Sequence, residues 1–206
     1  VTADPQTAFD LSLAPGTVST LCREVLLRFY PEDTPLRRLL LKHSFQVRAK
    51  ALAIAKAAPE VRADLELVSD GAMLHDVGIC RCHAPGILCE GEAPYIAHGI
   101  IGAEMLRSCG IPDRERLAAL ARICERHTGS GLTAEDIRSQ NLPIPEGEYL
   151  PETPEEKLIC LADKFFSKSG DMQEKPFSKV QRSMAKFGAD SAARFEALCR
   201  FWKYGA

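Results

Sequence analysis

Six side chains able to bind a transition metal stand where helical periodicity predicts an interior position: His43, His75, Asp76, His98, His127 and Asp163. The densest stretch is Met73-Leu74-His75-Asp76-Val77-Gly78. Leu67, Val68, Gly71 and Ala72 recur at helical spacing ahead of it, so their apolar face ends on His75, an imidazole in the place of a core leucine. Asp76 follows directly, and a carboxylate buried there is costly unless something pairs with it. A cation is the natural partner. Gly78 is expected to stop the helix by taking a conformation open to glycine, so that His75 and Asp76 converge at a helix end.

The ligand types narrow the choice of ion. Imidazoles and carboxylates with no obligatory thiolate suit iron, manganese, zinc or cobalt rather than calcium or a copper–thiolate site. Six ligands exceed what one tetrahedral ion needs, which predicts two divalent transition-metal ions. A carboxylate bridges two cations through its two oxygens and an imidazole cannot, so Asp76 is the expected bridge. Metal ions lower the pKa of a bound water toward neutrality. His75 and Asp76 are therefore the expected catalytic pair.

Five helices must carry these ligands. Thr34 as cap and Pro35 at the first helical position open a helix predicted to reach Ala58, with Leu36, Leu40, His43, Val47, Ala51 and Ile54 on one stripe. The next is predicted over Val61 to His75, followed by a Gly-, Pro- and Cys-rich loop from Val77 to Ala93. Pro94 reopens helix, with Tyr95, His98, Ile101, Gly102 and Met105 sharing a face. From Pro112 to His127, the inner stripe of Leu117, Leu120, Ile123 and Cys124 again terminates in histidine. Thr128-Gly129-Ser130-Gly131 breaks the pattern, and Asn141 to Thr153 reads as a proline-rich connector. Thr153-Pro154-Glu155-Glu156 has the residue order of a helix start, and Ile159, Ala162, Asp163 and Phe166 lie along the helix it opens. A first helix over Thr17 to Tyr30 and two closing helices, Ser178 to Phe187 and Asp190 to Tyr204, complete an all-α chain with no strand. His83, the fifth histidine, stands in the loop without periodicity and is expected at the surface or on the substrate side.

Composition bounds the rest. A chain of 206 residues, 46% hydrophobic and 26% charged, is expected to form one domain, with a core over 35–170, a lead-in and helix over 1–34 and closing helices over 171–206. A net charge of -2 argues against a nucleic-acid partner. Residues 1–15 lack the basic and apolar regions of a signal peptide, and no long apolar run predicts a membrane span, so a cytoplasmic protein is expected. Cys22, Cys109, Cys124, Cys160 and Cys199 fall within helical patterns as small core residues, while Cys80, Cys82 and Cys89 share the loop. A homodimer is the expected oligomer only because dimers are common.

The order His43, His75-Asp76, Asp163 resembles the HD-domain metal-dependent phosphohydrolase superfamily, and His98 and His127 complete the pattern of its two-metal subset. Arg126-His127-Thr128-Gly129 and the segment from Glu156 to Asp163 are similar to di-iron HD proteins that hydrolyse diadenosine tetraphosphate. Pro151 to Lys157 resembles a segment of uncharacterised HD hydrolases. The resemblance implies an HD-domain helical bundle of five core helices and a phosphohydrolase. Its metal-activated water would cut a small phosphate ester or anhydride, such as a nucleotide. Arg81, Arg126, Lys164 and Lys168 would then neutralise phosphate charge, and the backbone N–H groups of Gly129, Ser130 and Gly131 would approach it. The same ligand pattern also occurs in HD-fold di-iron oxygenases, for which Tyr30 and Asp33 would form a lid. A non-catalytic metal- or ligand-binding regulatory module is a third reading.

Overall fold

Six of the described helices carry their own side-chain caps, and the computed structural model, which describes residues 18–205, begins helices at them. Helix α1 (Thr20–Phe29) follows Ser19, whose hydroxyl accepts from the Cys22 N–H. In α2 (Pro35–Ala57), Thr34 accepts from Arg37 N–H and Pro35 opens the first turn. At the head of α3 (Leu65–Leu74) the Asp64 carboxylate accepts from the N–H groups of Glu66 and Leu67. Helices α4 (His98–Ser108), α5 (Arg114–Arg126), α6 (Ala134–Ser139), α7 (Pro154–Asp163), α8 (Phe177–Ala185) and α9 (Ala189–Phe201) complete the series. At α7 the Thr153 side chain accepts from Glu156 N–H while the Glu156 carboxylate reaches back to the Thr153 N–H, a reciprocal cap that fixes where the helix begins.

The fold is an all-α bundle, and its apolar stripes meet in two clusters. One gathers Leu26, Leu40, Leu74, Leu106 and Leu120 from α1 to α5; the other gathers Ile54, Ile159, Phe165, Phe195 and Trp202 from α2 and the C-terminal helices. Helix α2 runs through both. Glycines set the closest approaches between elements. A Cβ on Gly99 would lie 2.4 Å from the Cys124 carbonyl oxygen, so α4 and α5 pack backbone to backbone. No described helix is long and apolar enough to cross a membrane.

Several expectations need correcting. Helix α1 begins at Thr20 and α3 at Leu65, because Ser19 and Asp64 supply the caps. Residues 1–15, read as a lead-in, lie outside the described residues. The loop read as strandless holds a small sheet of β1 (Cys82–Ala84), β2 (Cys89–Glu90) and β3 (Ala93–Pro94) in the order β2-β1-β3. Strand β1 pairs antiparallel with β2, His83 opposite Glu90, and parallel with β3, Cys82 opposite Ala93. Residues 134–139, assigned no element, form α6 behind a Thr133–Asp136 capping box. Gly78 lies in the 3-10 helix Val77–Arg81 without a positive φ. Its reason for being glycine is space: a Cβ there would lie 2.2 Å from the His98 carbonyl oxygen and 2.5 Å from Gly102 N.

Candidate metal centre

Each proposed ligand reaches the interior from a different packed element. His43 lies in the third turn of the long helix α2, and His75 and Asp76 occupy the end of α3 and the residue after it. Strand β3 and the 3-10 turn Tyr95–Ala97 deliver His98 as the first residue of α4. His127 caps the C-terminus of α5, and Asp163 is the last residue of α7. All four histidines and Asp76 are buried. Asp163 is 12% exposed at its side chain.

These side chains form two groups that share one residue. His43, His75, Asp76 and Asp163 make the first and Asp76, His98 and His127 the second, with the ligand atoms of each group within 4.8 Å of one another. The two oxygens of Asp76 divide between them. Oδ2 lies 3.1 Å from His43 Nε2 and 2.9 Å from His75 Nε2, whereas Oδ1 lies 3.3 Å from His98 Nε2 and 3.5 Å from His127 Nε2. Asp163 Oδ1 closes the first group at 3.0 Å from His43 Nε2.

The outer hydrogen bonds decide which ring nitrogens face inward. His75 Nδ1 is 2.7 Å from the Ala72 carbonyl, His98 Nδ1 2.7 Å from that of Tyr95, and His127 Nδ1 2.6 Å from that of Cys124. A carbonyl oxygen only accepts, so each Nδ1 carries its proton and, in the neutral ring, each Nε2 turns a lone pair to the centre. The Nε2 atoms converge: those of His98 and His127 are 3.0 Å apart, and those of His75 and His43 3.3 Å. Asp76 is fully buried; its Oδ1 has no hydrogen-bond partner, and its Oδ2 faces the Lys168 ammonium. Converging acceptors around a buried carboxylate are a donor set that fits metal cations.

Charge in the site is balanced unevenly. Burial opposes ionisation of Asp76, but His75 and Lys168 outweigh it and hold the carboxyl well below its usual range. For Asp163, burial is outweighed by Lys164, His43 and His75, again in the downward direction. Burial also disfavours a proton on His75, yet Asp76 and Asp163 raise its pKa to about 9. His127 goes the other way, to about 4, because burial with its neighbours His75 and His98 overcomes Asp76. Proton and metal compete for the same nitrogen lone pair. Lys168 Nζ lies 2.6 Å from Asp76 Oδ2, and Lys164 Nζ lies 2.7 Å from Asp163 Oδ2 while donating to the His127 carbonyl at 3.1 Å.

A cavity of about 340 Å³ opens onto the second group, lined by His98, His127, Asp163, Lys164 and Lys168 and walled by Tyr95. The Tyr95 ring stacks on His98 with centroids 4.7 Å apart. Gly129 also lines this cavity, whereas buried Ser130 turns its hydroxyl to the Ser191 carbonyl at 2.9 Å and Gly131 packs against Leu150 and Pro151. Arg81 is exposed on the 3-10 helix and does not line the cavity. Arg126 donates to the Leu150 carbonyl at 2.5 Å and to Glu152 at 3.0 Å, fastening the connector instead of facing the cavity. Tyr30, read as a lid, is a buried pin that donates to the Val77 carbonyl at 2.8 Å and accepts from Cys80 N–H at 3.2 Å. Asp33 pairs with Arg38. His83 is exposed on β1, all eight cysteines are free, and among the described residues none joins a metal-binding group. Sequence reasoning missed Thr128 and Ser167 as cavity residues, since turn positions carry no periodic signal, and it placed Phe166 on the helix face although that residue lies beyond the end of α7 and lines the cavity.

Helices converging on paired His/Asp groups define a helical bundle built around candidate metal ligands. Residues 40–167 match the HD domain family, and the chain belongs to it. It is 33% identical over 180 residues to a protein of Thermoplasma volcanium named tRNA (cytidine(56)-2'-O)-methyltransferase, a match covering 87% of this chain and 45% of that one. A protein of the same name from Picrophilus torridus is 37% identical over 129 residues, covering 63% of this chain and 32% of that one. An uncharacterised protein of Methanocaldococcus jannaschii is 42% identical over 113 residues, 55% of each chain. The chain thus spans about half or less of the length of these relatives. No solved structure matches. The relatives' names correct the expectation of a phosphohydrolase: the named reaction moves a methyl group to a ribose hydroxyl and cuts no phosphate bond. Metal ligation by histidine and aspartate is common to many chemistries, so the ligand pattern could not make that distinction.

Proposed function

We propose that this chain is the metal-binding unit of a tRNA 2'-O-methylation system, holding two divalent ions, iron by preference, at the His43/His75/Asp76/Asp163 and Asp76/His98/His127 groups. The observation that carries the reading is the 33% identity across 87% of the chain to a relative named for tRNA methylation, together with a cavity beside the metal groups. In this reading the methyl donor binds in the part of each relative that the chain does not match, and the HD unit holds the RNA.

Bound ions supply Lewis acidity to an oxygen ligand, such as a phosphate or a ribose hydroxyl. The chain's own residues prepare the place. The carbonyls of Ala72, Tyr95 and Cys124 fix three imidazoles in the tautomer that faces inward. Asp76 offers one oxygen to each group. Lys164 and Lys168, lining the cavity, supply positive charge to an RNA phosphate. The net charge of -2 belongs to the whole chain, while these two lysines are concentrated where the ligand would enter. The same reading places the chain with its tRNA in the cytoplasm.

The test is binding of tRNA to the metal-loaded chain, to chelator-treated chain and to His75→Ala. Binding that needs both metal and His75 is expected, with no methyl transfer from S-adenosylmethionine by the chain alone. Equal tRNA binding by all three preparations, or none by any, would overturn the proposal.

A further inference from the structure

Thr128-Gly129-Ser130-Gly131 does more than end α5. Thr128 and Gly129 line the metal cavity on one side and a second cavity of about 210 Å³ on the other. The second cavity has apolar walls from Leu132, Leu142 and Phe187 and polar groups from Asp136, Gln140 and Arg194. Where the two meet, Gly129 sits at φ +60°, and a Cβ there would have nothing within 4 Å. The missing side chain leaves open space at the junction.

The walls suit a flat heterocycle. Phe187 is 60% exposed at the cavity edge, a phenyl ring that another planar group would cover. Arg194 Nη2 is held 2.7 Å from Asp136 Oδ2, while its Nε is buried with no hydrogen-bond acceptor. Gln140 adds an amide that both donates and accepts. A stacking face beside a small polar edge is how proteins hold an unstacked base.

We infer that this second cavity takes the base of a nucleotide whose phosphate lies in the metal cavity beside Lys164 and Lys168, with the ribose passing over Gly129. The inference rests on the reading of the chain as an RNA-handling unit and adds where the base goes. Phe187 stacks, and Gln140, Asp136 and Arg194 face the base edge.

Calorimetric titration of metal-loaded protein with cytidine 5'-monophosphate and with ribose 5-phosphate tests it. The nucleotide is expected to bind about 5-fold more tightly or better, the size of one base–aromatic stack. Phe187→Ala should bring it to the level of ribose 5-phosphate, whose own binding stays unchanged and shows that the fold is intact. Equal binding of the two probes by the wild type, binding of neither, or a preference that survives Phe187→Ala would overturn the inference. If the cavity fails while tRNA binding still requires metal, the functional reading stands alone; a base preference without metal-dependent tRNA binding overturns that reading and leaves the cavity.

Discussion

Replacing Gly78 by alanine should couple a packing defect to the loss of one metal site. The added Cβ would stand 2.2 Å from the His98 carbonyl oxygen and 2.5 Å from Gly102 N, both backbone atoms that no rotamer change can move. Ordinary contact requires a retreat of more than about 1 Å. Tyr30 holds the 3-10 helix from the other side through Val77 and Cys80, so the start of α4 is the part that yields. His98 is the first residue of α4 and moves with it. Metal–ligand distances tolerate shifts of only about 0.2 Å, so the Asp76/His98/His127 group fails while the His43/His75/Asp76/Asp163 group survives. Overpacking of this kind costs about 1–3 kcal/mol, or a fall in Tm of roughly 3–10 °C at this chain length. The assay is thermal unfolding of the chelated protein beside metal titration of the refilled one. Full metal loading with an unchanged Tm would refute the packing argument and the placement of His98.

Other substitutions reach different parts of the account. Lys168→Met leaves buried Asp76 without the ammonium 2.6 Å away, so the chelated protein should lose about 3–5 kcal/mol in urea unfolding, with much of the loss recovered on metal addition; an equal loss in both states would count against it. Glu156→Ala removes the acceptor for Glu152 N–H at 2.7 Å and for Thr153 N–H, and the partner of Arg122 at 2.7 Å. With Arg122 partly exposed, the cost is about 2–4 kcal/mol, and a loss below about 0.5 kcal/mol would show that α7 is not held this way. Burial raises the thiols of Cys82, Cys89, Cys160 and Cys199 to about 11, so below that pH they stay protonated and unreactive. Iodoacetamide at neutral pH should modify half-buried Cys80 first, with the four others reacting only as pH approaches their pKa or the chain unfolds; their rapid labelling in the folded protein would contradict this.

Long amphipathic helices announced themselves in the sequence, because Leu40, His43 and Val47 or Leu120, Ile123 and His127 repeat on one face and put a histidine among apolar residues. Caps were equally legible at Thr34-Pro35 and Thr153-Pro154. The strands over 82–94 were not, since runs of two or three residues hold no period. Helix α6 left a signal in Thr133 and Asp136 spaced as a capping box, but its six residues carry too short a stripe. Lys168 lies in a polar stretch without periodicity, and only tertiary folding brings it to Asp76. The role of Gly78 was likewise hidden, because close approach by another helix leaves no mark on neighbouring residues. Arg81 and Arg126 show the reverse error: proximity in sequence to a ligand is no guide to the direction of a long side chain.

The proposed division of Asp76 between two metal positions is best tested by elemental analysis of purified wild type, His98→Ala and Asp76→Ala. Two ions per chain are expected in the wild type, one after loss of His98 and none after loss of Asp76, in line with the membership of the two groups. Wild-type metal content in Asp76→Ala, or a metal-free wild type after incubation with iron, manganese, zinc and cobalt, would contradict the account.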